Sequence, residues 1–323
     1  MKDPKPYAPW GQFLEEERCF ELTAEPPKRW FNAHYNRPGD NEVYAETSNL
    51  GDGMITIRDR AGNLCKLVPY DAKYLYLRDD ETNDVFNPWG APCAKETTNR
   101  SCRFYAEKTV IASESEGLRL EQRIFVPPNL PAEIWTVHVT NLSERPRAIS
   151  LFAYSGFALN GKAADGRAVG AENTSQVHPE IGGVFVRNHC KQPTPTNRYN
   201  GYILSTGEFF NANGHRLHFL RSDQSAGVPK MLWGFDCDGR GGGYGGDCCG
   251  IVQVKLNLRP GETLRRDFVI GQAASVEEAG SVREQLTESA IDALCAEQAT
   301  RERQRADTLR VRGLVALEEG DEA

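Results

Sequence analysis

The sequence predicts a mainly β protein: a large antiparallel two-sheet β-sandwich followed by one long C-terminal linker helix. Between about residues 50 and 273, short β-branched and aromatic runs are separated by Gly, Pro, Asn and Asp. No amphipathic segment of helical length divides consecutive runs, which excludes the crossovers that a parallel sheet needs. From Ser275 onward the apolar period changes from two to near 3.6.

In IWTVHVTN, Trp135, Val137 and Val139 share one face while Thr136, His138 and Thr140 share the other, as a half-buried antiparallel strand requires. IVQVKLNL repeats the pattern, with Val252, Val254, Leu256 and Leu258 inward and Gln253, Lys255 and Asn257 outward. MITIRD, KYLYLRD, RFYAEKTVIASES, LRLEQRIFVP, AISLFAYSGFAL, GVFVRN, YILST, LHFLRSD, MLWGF and LRRDFVIG supply the remaining predicted strands. At SVEE, Ser275 and Glu278 have capping-box spacing. Ala279, Val282, Leu286, Ala290 and Leu294 then form a narrow apolar stripe on a charged helix, one that lies on a surface or bridges to another module. The organisation read from this is a sandwich over 1–274, a helical linker over 275–307 and a tail over 308–323.

The chain has 323 residues, 39% of them hydrophobic and 26% charged, which suits a globular protein with a sizeable core. Its formal net charge of −7 argues against a nucleic-acid partner, since phosphate binding needs clustered Lys and Arg. The N-terminal MKDPKPYAPWGQF lacks the apolar core of a signal peptide, and no run reaches the roughly 18 apolar residues of a membrane span. Nine irregularly spaced cysteines read as reduced, buried thiols. The expectation is a soluble cytoplasmic protein with no membrane partner.

CDGRGGGYGGDCCG, residues 237–250, packs seven glycines and three cysteines into fourteen residues. A strand follows it, where a phosphate-cradling loop needs a helix. Its cysteines Cys248 and Cys249 are adjacent and project oppositely when extended, which does not suit a metal knuckle. It reads as an irregular strand connection whose glycines permit close backbone approach. His215 and His218, extended, face opposite ways. Asp79, Asp80 and Glu81 read as a hairpin turn, as do Glu114 and Glu116. Trp135 and Trp233, inside predicted strands, read as core, whereas Trp30 and Trp89 beside Pro-rich turns are open to exposure. Nothing here forms a catalytic constellation or a metal site.

YLYLRDDETNDVFNPWGAP, then GLRLEQRIFVPPNLPAEIWTVHVTNLSERPRAISLFAYSGFAL, HPEIGGVFVRN, GGYGGDCC and IVQVKLNLRPGETLRRDFVIG follow in an order that resembles the N-terminal domain of glycoside hydrolase family 94. These are the cellobiose, cellodextrin, laminaribiose and chitobiose phosphorylases, formerly glycosyltransferase family 36. Asp247 and Cys249 match the family's Asp-Pro-Cys, with Cys248 in place of the proline. The resemblance implies a mutarotase-like supersandwich and, in complete enzymes, a linker leading to a helical barrel. There an aspartic acid protonates the glycosidic oxygen while inorganic phosphate, the co-substrate, attacks the anomeric carbon with inversion. It implies no cofactor. The barrel's motif has no counterpart here, so this chain alone is expected to be inactive, its partners being that barrel in cis or as a separate chain, a second copy in a homodimer, and an oligosaccharide. RWFNAHYNRPGDNEVYAETSNLGDG lacks the full Trp, Asn and Arg pattern common in cellobiose phosphorylases, which leaves the sugar open.

In family dimers a sandwich loop approaches the partner's active site. The corresponding stretch here is the polar 155–183, read as a long loop. Its Asn160, Lys162, Asp165, Arg167, Asn173 and Gln176 are the candidate substrate or partner contacts. Two other readings stay open: a free-standing carbohydrate-binding module, and a mutarotase-like epimerase with a His and a carboxylate in one groove.

Overall fold

The computed structural model describes residues 10–162, 165–166, 168–169, 172–189, 200–220, 226–227 and 229–320. Among these, every strand pairing is antiparallel, in sheets of ten, five and six strands. The ten-stranded sheet runs from Gly11–Leu14 at one edge, through Leu118–Phe125, Ala132–Asn141 and Thr263–Ala273 at its centre, to Asn173–His178 at the other edge. The five-stranded sheet is ordered Asn211–His215, Cys248–Leu258, Arg147–Gly156, Lys73–Asp79, Val85–Phe86. The six-stranded sheet runs from Ala168–Val169 to Phe31–Asn36. The predicted sandwich is present, with its second layer divided in two.

One core joins the three sheets. Val43, Ile57 and Leu67 of the six-stranded sheet and Leu77, Leu151 and Val254 of the five-stranded sheet meet Trp135, Val137 and Phe268 of the ten-stranded one. Each large apolar side chain so buried contributes about 1.5–3 kcal/mol. The alternation predicted for IWTVHVTN holds for Trp135, Val137 and Val139, but Thr136 on the other face is also buried and only His138 and Thr140 there are partly exposed. In IVQVKLNL it holds for the apolar face, but Gln253 on the other face is also buried. A further layer covers that side of the sheet.

Among the described residues, that layer comes from 216–220 and 229–237. Phe219, Leu220, Met231, Leu232 and Cys237 pack on Tyr76, Phe152, Tyr154, Cys249 and Ile251 from the five-stranded sheet. LHFLRSD and MLWGF, predicted as strands, instead contribute helix α1, Arg216–Phe219, and a 3-10 turn, Lys230–Leu232. A strand must pair at a sheet edge, whereas Phe219, Leu220, Met231 and Leu232 lie across a face and plug it with apolar side chains, and residues 221–223 of LHFLRSD lie outside the described residues. Cys248 joins the central core and Cys249 the outer cluster, so the adjacent thiols do point to opposite sides.

The outer face of the ten-stranded sheet carries the C-terminal helices. The sequence predicts one helix from 275 to 307, but there are two: α2, Val276–Gln285, and α3, Glu288–Gly320. The break turns Leu286 into the sheet, where it packs with Ile134, Phe185 and Val269, and Thr287 Oγ1 then accepts from Ala290 N at 3.2 Å. Ser275 caps α2 as predicted, accepting from Glu278 N, while Glu278 Oε2 accepts from Ala274 N at 2.6 Å. Asp292 of α3 receives both Arg123 and Arg265 from the sheet, and Gln298 accepts from Asn36 Nδ2 at 2.7 Å. The linker is thus pinned to the sandwich. Part of the predicted tail, 308–323, continues α3.

Other expectations shift. RFYAEKTVIASES is a hairpin, Thr98–Phe104 and Thr109–Ser115, turning at Tyr105, whose N–H donates to Lys108 O at 2.9 Å. Trp89 is buried, and Trp233, read as core, is half-exposed because MLWGF is a surface turn. No described helix is long and apolar enough to cross a membrane.

Candidate functional site

The six candidate residues do not lie on one loop. Asn160 and Lys162 are exposed on the short strand Asn160–Lys162 of the six-stranded sheet. Asn173 and Gln176 belong to Asn173–His178, the edge strand of the ten-stranded sheet. Asp165 sits at an exposed turn, and Arg167 lies outside the described residues. Asn173 is buried, with its Nδ2 donating to Ala158 O at 3.0 Å, which ties the strand down. The stretch reads as polar because two of its buried positions are Asn173 and Ser175, which hydrogen-bond through Asn173 Nδ2 and Ser175 Oγ where an apolar strand face would pack.

The structure does bring this edge strand onto the glycine-rich stretch. Gly242 N donates to Ser175 O at 2.8 Å, Ser175 N donates to Gly243 O at 3.1 Å, and Thr174 bridges Tyr244. On its other side the same strap meets Asn211–His215, the edge of the five-stranded sheet: Gly239 N donates to Ala212 O at 3.2 Å and Gly214 N to Arg240 O at 2.7 Å. One strap therefore closes the open edges of both layers, where unpaired backbone groups invite association. Glycine is required where the backbones touch. A Cβ on Gly243 would lie 2.5 Å from Ser175 Oγ and 2.6 Å from Gly214 O.

Polar contacts fix the residues leading into the strap. Arg78, almost wholly buried, stacks on Phe152 and donates to Phe235 O at 2.5 Å and to Asp236 at 2.9 Å. Asp236 also receives Gln253 Nε2 at 2.7 Å and Lys255 Nζ at 2.6 Å. Burial pushes the Asp236 carboxyl up, but the hydrogen bonds from Lys255, Gln253 and Arg78 outweigh it and hold the group below the usual carboxylate range. Gln253 Oε1 accepts from Cys237 N at 2.7 Å, which explains why a polar side chain is buried on this strand. Asn213 Oδ1 accepts from both Asp238 N and Arg240 N at 3.1 Å.

On this rigid base stand exposed apolar side chains: Leu217, Trp233, Phe235 and Tyr244, with Phe210 beneath Lys255 at 4.2 Å. His215 and His218, expected to face apart, stack at 4.5 Å between ring centroids because α1 places i and i+3 on one side. Partial burial, then the neighbouring His215, lowers the pKa of His218. The sequence signal for this surface is the density of aromatics between Phe209 and Tyr244 among glycines, which a period-two strand pattern does not register. Among the described residues no group of three or more His, Cys, Asp or Glu side chains is arranged to hold a metal. A His–carboxylate pair occurs at His178 and Glu180, 2.7 Å apart, but it is local to one turn with Glu180 exposed.

A two-layer antiparallel sandwich, sealed at its edges by a strap and backed by a linker pair of helices, defines a supersandwich unit. The model of the glycosyl hydrolase 94 supersandwich domain matches residues 46–289, and the chain belongs to that family. A 3-O-beta-D-glucopyranosyl-beta-D-glucuronide phosphorylase of Paenibacillus borealis is 27% identical over 280 residues, covering 86% of this chain and 35% of that protein. An N,N'-diacetylchitobiose phosphorylase of Vibrio furnissii is 25% identical over 274 residues, 82% of this chain and 31% of its own length. Among solved structures, a bacterial glucoamylase complexed with acarbose aligns with 86% of this chain and 39% of its own at a TM-score of 0.48 and 9% identity. The chain spans about a third of the length of the curated relatives it matches.

Proposed function

We propose that this chain is the supersandwich and linker of an inverting phosphorylase acting on β-linked disaccharides or short oligosaccharides. The bond-breaking groups belong to a helical barrel supplied in cis or by a separate chain. In that reaction a phosphate oxygen forms a bond to the anomeric carbon, the glycosidic C–O bond breaks from the opposite face, and a barrel carboxylic acid protonates the departing oxygen. The products are an α-glycosyl phosphate and the shortened sugar. No residue described here is assigned to those steps.

The role assigned to the sandwich is mechanical. It carries the barrel on α2 and α3 and presents the strap and its exposed aromatics to the barrel or to the second copy of a homodimer. One observation carries the reading: a family match spanning most of the chain, in which relatives named as phosphorylases extend well beyond the matched region.

The test is to mix the purified chain with a helical barrel module of the family and follow co-elution together with glycosyl phosphate formed from cellobiose, laminaribiose or chitobiose and inorganic phosphate. The reading expects a complex whose activity exceeds that of the barrel alone. A barrel equally active with or without this chain would overturn it.

A further inference from the structure

A cleft of about 270 Å³ opens on the outer face of the segment that covers the five-stranded sheet. Asn213, His218, Lys230, Phe235, Asp238 and Arg240 are among the residues that line it. We infer that it binds one pyranose ring of an oligosaccharide, with Phe235 and Leu217 against the C–H face and Asn213, Asp238 and Arg240 on the hydroxyls. The inference goes beyond the scaffold role and stands on the cleft alone.

Size comes first. The hollow lies just below the roughly 300–1,000 Å³ of drug-sized sites, so it takes a single ring, not a nucleotide or a folded peptide. Charge comes next. Lys230 and Arg240 are balanced by Asp236 and Asp238, with Arg240 Nε 2.6 Å from Asp238 and Asp236 held by Arg78, Gln253 and Lys255. A lining of zero net charge gives no field to concentrate phosphate or a carboxylated ligand. It does supply many directional donors and acceptors, which suits a neutral polyol.

The apolar element is also present. Phe235 is 56% exposed and Leu217 40% exposed, side by side with those polar groups. A pyranose needs this pairing, because its axial C–H groups form an apolar face while its hydroxyls radiate from the rim. Finally, the walls are already set. Asn213 is buried with its Oδ1 committed to two backbone N–H groups, so its amide is fixed, and its Nδ2 donates to Met231 Sδ at a long 4.0 Å. The backbone of Phe235 is gripped by Arg78. Little ordering remains to be done on binding.

Saturation-transfer NMR and calorimetry on the 323-residue chain with cellobiose test the inference, with methyl β-D-glucopyranoside as the single-ring arm. Both sugars are expected to bind saturably in the millimolar range, as a shallow cleft with few contacts allows. Phe235→Ala and the double variant Asp238→Ala/Arg240→Ala are each expected to weaken binding at least about tenfold while leaving Tm unchanged, because these side chains are exposed. Asn160→Ala/Lys162→Ala, on a strand of the six-stranded sheet and not among the residues lining the cleft, should leave binding intact. No saturable binding up to about 50 mM, or binding lost with the Asn160/Lys162 pair and kept in Phe235→Ala, overturns the cleft assignment. Neither result touches the phosphorylase reading, which is decided by complementation with the barrel.

Discussion

Lys73 Nζ lies 2.7 Å from both carboxylate oxygens of Glu133, and neither side chain has any exposure to solvent. Lys73 comes from the five-stranded sheet and Glu133 from the ten-stranded sheet, so the pair bridges the two layers through the core. Trp135 Nε1 donates to the same carboxylate at 2.7 Å. Removing one partner strands the other charge. Lys73→Met should therefore destabilise by about 3–5 kcal/mol, and Lys73→Met/Glu133→Leu by distinctly less, measured by urea unfolding. A double variant as unstable as the single would show that the pair's charges are not what matters.

His34 is buried against Thr109, with its Nε2 3.1 Å from Thr109 Oγ1. Burial, and then the charge of Lys73, pushes its pKa down to about 3. In the unfolded chain a histidine takes up a proton near pH 6.5, whereas the folded protein holds His34 neutral until about pH 3. The unfolded state thus binds more protons between those values, and stability falls as pH drops, by about 1.4 kcal/mol per unit from this group. His34→Gln removes that slope. Unfolding midpoints at pH 7 and pH 5 should converge between wild type and variant as pH falls; parallel curves would contradict the assignment.

The strap gives a paired prediction. Gly243→Ala drives a Cβ into Ser175 Oγ, Gly214 O and Asp247 O, at 2.5, 2.6 and 2.8 Å, and should cost about 1–3 kcal/mol. Gly246→Ala, three residues away with nothing within 4 Å, should change stability by less than about 0.5 kcal/mol. Thermal melts of the two variants separate a strap that seals both sheets from a loop that merely passes them.

How far these features were legible in the sequence depended on what satisfies each buried position. Where burial is apolar, the sequence reads true: Trp135, Val137 and Val139 alternate because one face of their strand meets the core. The start of α2 was legible because a capping box is a local interaction between Ser275 and Glu278. Asn173–His178 was not, since its buried Asn173 and Ser175 are held by hydrogen bonds to residues distant in sequence. Gln253 misled for the same reason. The break after α2 depends on Leu286 finding the sheet, and α1 depends on a tyrosine-rich face that must be covered. Both are tertiary demands. The candidate residues were drawn from one apparent loop, while the cleft at Asn213, Phe235, Asp238 and Arg240 is assembled from stretches on either side of α1.

The central claim is that this unit holds and shapes but breaks no bond, and the most direct measurement is glycosyl phosphate release by the purified 323-residue chain alone, supplied with inorganic phosphate and each of cellobiose, laminaribiose and chitobiose. The account predicts no product above the protein-free control under conditions where adding a helical barrel module of the family yields turnover. Phosphate-dependent product from the chain by itself, abolished when the chain is unfolded, would contradict it.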